Sequence, residues 1–336
     1  MKKDLDAVVE RLKAAKRVLV IGHIKPDGDD ISSVVTLVLI LRKLGKVAEG
    51  CIAGEIPWFY KDLADVPLIK NVDDLRDFEY DTSVTVDASE LSRIGDAVEL
   101  LKGKKPDVTI DHHQTNVGFG EIDFYDSAYA AAAVIIYEIG KQLVDYDARL
   151  AEINLLGIAT DTGFFKYSNT DYKVFSYAAE LVKAGASIQR ISSAVLEHRT
   201  LNEVKLLSEM FDKLHIEEDG KLAWSYVSTE MLRHTGCTED DAGGLVGEIR
   251  SMYGVEIAIL FIEWPEGDVH VSFRSKNYAD VSKVALEFGG GGHVRAAGCS
   301  CKGVDLEEMI NKVVARTRQA LKPDKQGWLS CLRGCS

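Results

Sequence analysis

No stretch of the sequence approaches the roughly 18 consecutive apolar residues that a membrane-spanning helix requires. The N-terminus, Met1-Lys-Lys-Asp-Leu-Asp6, runs into a charged helical pattern rather than a secretory apolar core. Both features predict a cytoplasmic protein with no membrane partner. Thiols are also sparse. Six cysteines (Cys51, Cys237, Cys299, Cys301, Cys331, Cys335) are too few and too scattered for a disulfide framework in 336 residues. Cys299-x-Cys301 sits in a strand-like alternation and Cys331-x3-Cys335 in a terminal tail, and neither pair reads as a metal site. A basic stripe is missing as well. With a formal net charge of −13 the chain repels a long polyanion, so long nucleic acid is an unsuitable partner. A small phosphorylated substrate held by a few local cations fits this balance better.

Hydrophobic residues at 46% and charged residues at 28% are those of a folded globular chain, and the length admits two domains. No internal repeat interrupts the pattern. The first half alternates helices with apolar strands: a helix over residues 4–16, a strand at Arg17–Gly22, a helix at Ile31–Leu44, and strands at Lys46–Ala53, Ser83–Asp87 and Asp107–Asp111. Helices follow at Ser127–Leu143, Arg149–Ala159 and Asp171–Ala184. Continuous apolar strands separated by helices predict an α/β parallel sheet covered on both faces, with functional side chains at the carboxyl ends of its strands. An unbroken helical pattern from Ile188 to about His215 reads as a connector. Beyond it, hairpin-like strands at Leu222–Ser228, Glu256–Glu263 and Val269–Arg274, a turn at Pro265–Asp268, and helices near 239–250 and 305–320 predict a smaller α+β domain. The expected organisation is a catalytic domain at 1–190, a helical linker at 191–215, a substrate-binding domain at 216–322 and a disordered tail at 323–336.

The strand ends concentrate unusual chemistry. His23-Ile-Lys-Pro-Asp27-Gly-Asp29-Asp30 places an imidazole and three carboxylates in a loop before a helix, although an Asp-rich cap is an equal reading. Asp87 ends the next strand, where a lone aspartate is more often a turn former. Asp111-His112-His113 ends another, and paired imidazoles there are hard to explain as turn chemistry. Asp161-Thr-Gly163 follows a helix, and a glycine-stopped helix end is its plain alternative. Together, His23, Asp27, Asp29, Asp87, His112 and Asp161 offer two imidazoles and four carboxylates without a thiolate, a donor set suited to manganese, magnesium or iron(II) rather than structural zinc. So many like charges need cations to persist together.

In order and spacing these four segments resemble the signature motifs of the DHH phosphoesterase family, named after the triplet seen here as Asp111-His112-His113. The C-terminal half resembles the DHH-associated domain of the branch that degrades very short RNA, cyclic dinucleotides and pAp. That likeness runs through Ser272-Phe-Arg274-Ser275 and Gly289-Gly-Gly-Gly292-His293-Val-Arg-Ala-Ala-Gly298. The first motif departs from the family, with Asp30-Ile-Ser32-Ser33 where a small residue and then Gly-Ser are usual. The resemblance implies two manganese ions, one on His23, Asp27 and Asp87 and the other on Asp29, Asp87, His112 and Asp161, so that Asp87 bridges. It implies a water activated between them, His113 hydrogen-bonding the scissile phosphate, and Asp111 orienting a ligand imidazole. Arg274, Ser275, Gly290, Gly291, Gly292 and His293 would bind substrate, with a flexible glycine turn as the plain reading of the glycine run.

The expected activity is hydrolysis of small dinucleotides such as pApA, and of cyclic di-AMP and other very short oligoribonucleotides, to mononucleotides by a homodimer. A 3′-phosphatase acting on pAp and a nucleotide sensor without turnover are the alternatives. A family II pyrophosphatase lacks support because no basic Ser-Arg-Lys-Lys motif is present, and a RecJ-like exonuclease needs further nucleic-acid-binding domains.

Overall fold

The computed structural model describes residues 5–61, 63, 65–264 and 267–321. The tail at 323–336 with Cys331 and Cys335, and Pro265 and Glu266 of the expected turn, lie outside them. The chain divides after His198 into two units.

In the first unit the elements run α1 (Leu5–Ala14), β1 (Arg17–Ile21), α2 (Gly28–Lys43), β2 (Val47–Cys51), α3 (Trp58–Lys61), β3 (Ile69–Lys70), β4 (Thr82–Val86), β5 (Val108–Asp111), β6 (Ile122–Tyr125), α4 (Ala132–Gly140), α5 (Ala148–Asp161), α6 (Tyr172–Lys183) and α7 (Ile188–Leu196). The strands form one six-stranded sheet in the order β3-β2-β1-β4-β5-β6, and every pairing is parallel. Alternate residues of β1 feed two cores. Val18 and Val20 pack with α2, α4 and α5, while Leu19 and Ile21 pack with a 3-10 segment at Leu91–Leu101. β1 is therefore apolar on both sides, as its continuous run predicted, whereas β4 and β5 turn the buried hydroxyls of Ser83, Thr85 and Thr109 to their other face. β1 pairs with β2 on one side and β4 on the other, which makes its carboxyl end the point where the winding direction reverses. Crevices at such points are where ligands bind in open α/β sheets. The two short strands β3 and β6 were not expected: β3 has only two residues, and in β6, Ile122-Asp123-Phe124-Tyr125, a charge breaks the apolar run.

The second unit contains α8 (Leu201–Asp212), β7 (His215–Glu217), β8 (Leu222–Val227), α9 (Thr229–Thr235), α10 (Glu239–Ala242), α11 (Val246–Ser251), β9 (Ile257–Glu263), β10 (Val269–Ser275), α12 (Val281–Glu287), β11 (Gly291–His293), β12 (Ala296–Cys301) and α13 (Leu306–Ala320). Its sheet has the order β11-β12-β10-β9-β8-β7. β9 and β10 form the expected hairpin, closed by the Trp264 N–H donating to the Asp268 carbonyl at 2.8 Å. β8 pairs with β9 in parallel, however, so that part of the hairpin reading is corrected: α9, α10 and α11 provide the crossover that parallel strands need. The continuous helix expected from Ile188 to His215 is likewise two helices. Thr200 caps α8 by accepting the Glu203 N–H at 3.2 Å, while the Glu203 carboxylate accepts the Thr200 N–H at 2.6 Å, a capping box that starts a new helix. Among the described residues no helix is long and apolar enough to cross a membrane.

Candidate metal centre

The loop after β1 carries the first donors. Asp27 caps α2, its Oδ1 accepting the N–H groups of Asp29 at 3.0 Å and Asp30 at 3.1 Å. That cap turns Asp29 and Asp30 into the buried first turn of the helix. Asp29 reaches the start of α4, where the Ala132 and Ala133 N–H groups donate to its carboxylate at 2.6 and 2.8 Å. These are unpaired donors of a helix N-terminus, and they suit an anion. Asp87 follows β4 in the left-handed region, φ 53°, a conformation uncommon for a residue with a side chain. Its N–H donates to the Ile110 carbonyl of the neighbouring β5 at 2.9 Å, which helps to hold it there. Asp161 is the last residue of α5.

These segments bring together all six predicted donors. His23, Asp27 and Asp87 form one group whose ligand atoms lie within 4.8 Å of one another, Asp29, His112 and Asp161 a second, and Asp87, His112 and His113 a third. Asp87 and His112 are each common to two groups. His112 Nε2 stands 3.4 Å from Asp87 Oδ1, 3.6 Å from Asp161 Oδ2 and 3.7 Å from Asp29 Oδ2, and His23 Nε2 stands 3.7 Å from Asp87 Oδ2. These separations exceed normal hydrogen bonds and are shared among several oxygens at once. Asp87 Oδ1 and His23 Nδ1 are buried without a hydrogen-bond partner. Buried polar atoms left in this way require an explanation, and an all-oxygen and imidazole donor set supplies one by fitting divalent cations.

The electrostatics agree. Burial, and then Asp87, push Asp27 up from the ordinary carboxylate value, and burial, Asp87 and Asp161 push Asp29 well above it. Asp161 rises to about 7 through burial and the charges of Asp87 and Asp27, despite His112 nearby. Burial disfavours charge on His23, but the Asp30, Asp87 and Asp27 carboxylates outweigh it and raise the imidazole to about 9. Burial likewise opposes charge on His112, which Asp87, Asp29 and Asp161 nevertheless raise well above the usual value. Asp87 is lowered because the imidazoles of His112 and His23 more than offset its burial. Raised carboxylates and raised imidazoles are both marks of excess negative charge, which bound cations would relieve.

One detail differs from expectation. Asp111 was to orient the ligand imidazole, but its Oδ1 contacts His113 Nδ1 at 2.8 Å and accepts the His112 N–H at 2.8 Å. The imidazole of His112 is set instead by the Tyr129 carbonyl, 3.3 Å from its Nδ1. The chain turns directly after Asp111, so the carboxylate folds back over the residues that follow it. Its other oxygen accepts from Asn116 Nδ2 at 2.6 Å. Asn116, Tyr129 and the start of α4 escaped sequence reasoning. Asn116 reads as a turn residue, and the other two contribute only backbone; the run Ala130–Ala133, small enough for close approach, was the one usable signal.

Asp30 is fully buried. Its Oδ1 accepts the His23 N–H at 3.0 Å, and its Oδ2 has no hydrogen-bond partner. It is absent from the three donor groups.

In the second unit, Arg274 Nη1 donates to the Phe273 carbonyl at 2.9 Å, and the buried Ser275 hydroxyl donates to the Ala279 carbonyl at 2.7 Å. The glycine run is not wholly a turn: Gly291–His293 forms β11 against β12. The Gly289 and Gly290 N–H groups donate to Leu286 and Ala285 at the end of α12, so these two are committed to helix capping rather than open to an anion.

Residues 17–158 match the DHH family, N-terminal domain, and residues 219–322 match the DHHA1 domain. The bifunctional oligoribonuclease and PAP phosphatase NrnA of Thermus thermophilus is 33% identical over 327 residues, which cover 94% of this chain and 93% of that protein. The protein of the same description from Bacillus subtilis is 27% identical over 303 residues, 86% of this chain and 90% of its own length. Among solved structures, an exopolyphosphatase-related protein from Bacteroides fragilis shares the fold, with a TM-score of 0.86 at 22% identity and 96% of each chain covered.

Proposed function

Because the chain belongs to the DHH family and carries a DHHA1 domain, we propose that it is a divalent-metal-dependent phosphoesterase. Its substrates are linear dinucleotides such as pApA, other very short oligoribonucleotides, and pAp, from which it removes the 3′-phosphate. Cyclic di-AMP is included as a substrate of the same phosphodiesterase chemistry. The observation that carries this reading is the position of Asp87 between the His23–Asp27 donors and the His112 imidazole. Relatives along nearly the whole chain described as both oligoribonuclease and PAP phosphatase favour two activities in one site. Two manganese ions and a homodimer belong to the same proposal and rest on the family resemblance, and a cytoplasmic location is proposed with them.

In this reading His23, Asp27 and Asp87 would hold one ion, and Asp29, Asp87, His112 and Asp161 would hold the other. When bound, such ions acidify water and neutralise charge on a phosphate. The chain's own residues do the rest. His113 is raised above its usual value, since Asp111 and Asp87 outweigh the burial that opposes its charge. It can therefore donate a hydrogen bond to a phosphate oxygen, and Asp111 holds its ring for that purpose. Residues 1–190 would carry catalysis, and residues 216–322 would bind substrate, with Arg274, Gly291, Gly292 and His293 as the candidates, since the Ser275 hydroxyl and the Gly290 N–H are already committed within the fold.

The test is chromatographic product analysis after separate incubation with manganese and pApA, cyclic di-AMP, pAp or pyrophosphate, with Asp87→Ala as control. Conversion of pApA and pAp to AMP is expected. Turnover of pyrophosphate alone would replace this reading with a pyrophosphatase, and binding without turnover would replace it with a sensor.

A further inference from the structure

Within the first unit, a cavity of about 310 Å³ adjoins the metal centre, lined by Asp27, Asp161, Tyr60, Phe164, Tyr167 and Leu196 among others. Two of these residues are predicted ion ligands and four are aromatic or aliphatic, and the lining also includes the polar Thr160 and Lys166. The volume is at the low end of the roughly 300–1,000 Å³ of small-molecule sites, enough for one nucleoside but not two.

The wall beyond Asp161 is built by an unusual piece of backbone. Gly163, Phe164 and Phe165 have φ values of 57°, 55° and 65°, three successive residues in the left-handed region. Two of them carry large side chains, and such conformations persist only where the surroundings enforce them. Here the Phe165 N–H donates to Thr162 Oγ1 at 3.2 Å, the Lys166 and Tyr167 N–H groups donate to the Thr162 carbonyl at 3.0 Å, and Asn169 Nδ2 holds the Asp161 carbonyl at 3.1 Å. Phe165 stacks on Phe175 of α6. The Tyr167 ring lies directly on Gly163, where an added β-carbon would come within 2.4 Å of it. Glycine is thus required at 163 both for its φ and for the space. The result is a fixed, half-exposed aromatic face beside a predicted ion ligand, with Lys166 alongside.

We propose that this cavity is a nucleoside subsite, in which one base of the substrate stacks on Tyr167 while its phosphate extends toward Asp27 and Asp161. The inference rests on the phosphoesterase reading and adds to it where a base is held. Lys166 contributes positive charge near that phosphate. Stacking on a ring tolerates any base, so the subsite selects for the presence of a base and only weakly for its identity. A phosphate-only substrate has no use for such a wall.

The test compares wild type, Tyr167→Phe, Tyr167→Ala and Leu196→Trp on pApA and on its two singly abasic analogues. Leu196 is largely exposed, so its replacement fills the cavity without disturbing the core. On pApA, Tyr167→Ala is expected to raise KM about 5- to 150-fold, the worth of one base–aromatic stack, with kcat nearly unchanged. Tyr167→Phe should behave as wild type and Leu196→Trp should raise KM. With one of the abasic analogues, KM should be high for wild type already and unaffected by Tyr167→Ala. An unchanged KM in both Tyr167→Ala and Leu196→Trp, or an equal effect on both abasic analogues, overturns the subsite. If wild type cleaves neither a dinucleotide nor pAp, the phosphoesterase reading fails by itself, and AMP titration by calorimetry judges the subsite: binding lost in Tyr167→Ala upholds it, and binding absent or unchanged rejects it.

Discussion

The His23 N–H donates to Asp30 Oδ1 at 3.0 Å, and the same carboxylate occupies the space above Gly22, where an added β-carbon would lie 2.4 Å from that oxygen. Asp30, the departure from the usual first motif, is therefore built into the support of a predicted ligand. Gly22→Ala should destabilise the protein by about 1–3 kcal/mol through overpacking. Asp30→Ala should cost about 1–3 kcal/mol by leaving the buried His23 N–H without its acceptor, and Asp30→Asn should cost less because an amide oxygen can still accept. The double variant Gly22→Ala/Asp30→Ala should lose at least about 1 kcal/mol less than the sum, because the clash disappears with the carboxylate. Urea denaturation of the four proteins measures this, and strictly additive losses would refute the coupling.

Stripping divalent ions should make stability fall as pH rises. His23 is raised from 6.5 to about 9, so the stability its protonation contributes is complete below 6.5 and disappears as pH rises through 9. Asp161, raised from 3.8 to about 7, acts with the same sign: its contribution is present below 3.8 and lost as pH passes 7. Ion binding requires these same groups to be deprotonated, so it tightens over that window. The difference in Tm between manganese-loaded and EDTA-treated protein should therefore widen from about pH 6 to about pH 9. A difference that stays constant or narrows in thermal melts would contradict the shared site.

Asn116 should matter although it touches no predicted ligand. It donates to Asp111 Oδ2 at 2.6 Å and to the Ala88 carbonyl at 3.2 Å, linking the Asp111–His113 pair to the chain just beyond Asp87. Loss of such a supporting partner typically costs 10- to 100-fold in activity or ion affinity. Asn116→Ala should lower kcat about 10-fold at saturating manganese without changing the number of ions bound, as read by elemental analysis. Loss of a bound ion would show instead that it shapes the ligand set.

How much of this was legible from sequence depends on where the information resides. The parallel sheet was readable because β1 is apolar on both faces and β4 and β5, each apolar on one face, follow at helix-length intervals, and the strand rule then directed attention to His23, Asp87 and the triplet at their ends. The partner of Asp111 was not readable, because it depends on the backbone angles of the two residues after β5. Donors on the main chain, such as Ala132 and Ala133 under Asp29, leave no mark beyond small side chains. The division of the connector was readable and was missed: Thr200-Leu-Asn-Glu203 is a capping-box sequence inside an otherwise helical pattern. The left-handed turn at Gly163–Phe165 went unrecognised because only its glycine carries a signal, and phenylalanine argues against that conformation.

Asp87 and Asp27 should separate in their effects on ion content. Asp27 belongs to one donor group with His23, whereas Asp87 belongs to that group and also to the one with His112 and His113, and His112 links it in turn to Asp29 and Asp161. Asp27→Ala should therefore bind one manganese ion with little change in affinity, while Asp87→Ala should weaken both. Each ion contributes several kcal/mol of charge stabilisation to phosphoryl chemistry. Turnover should thus fall by about 10³-fold or more in either variant, since each factor of ten corresponds to about 1.4 kcal/mol. Only ion binding distinguishes them, and it can be followed by calorimetry with manganese on protein first treated with chelator. Because Asp27 also caps α2 through the Asp29 and Asp30 N–H groups, Asp27→Asn, which retains a cap, should reproduce the one-ion result with a normal melting curve. If Asp87→Ala kept one tight ion, or Asp27→Ala lost both, Asp87 would not be the shared ligand.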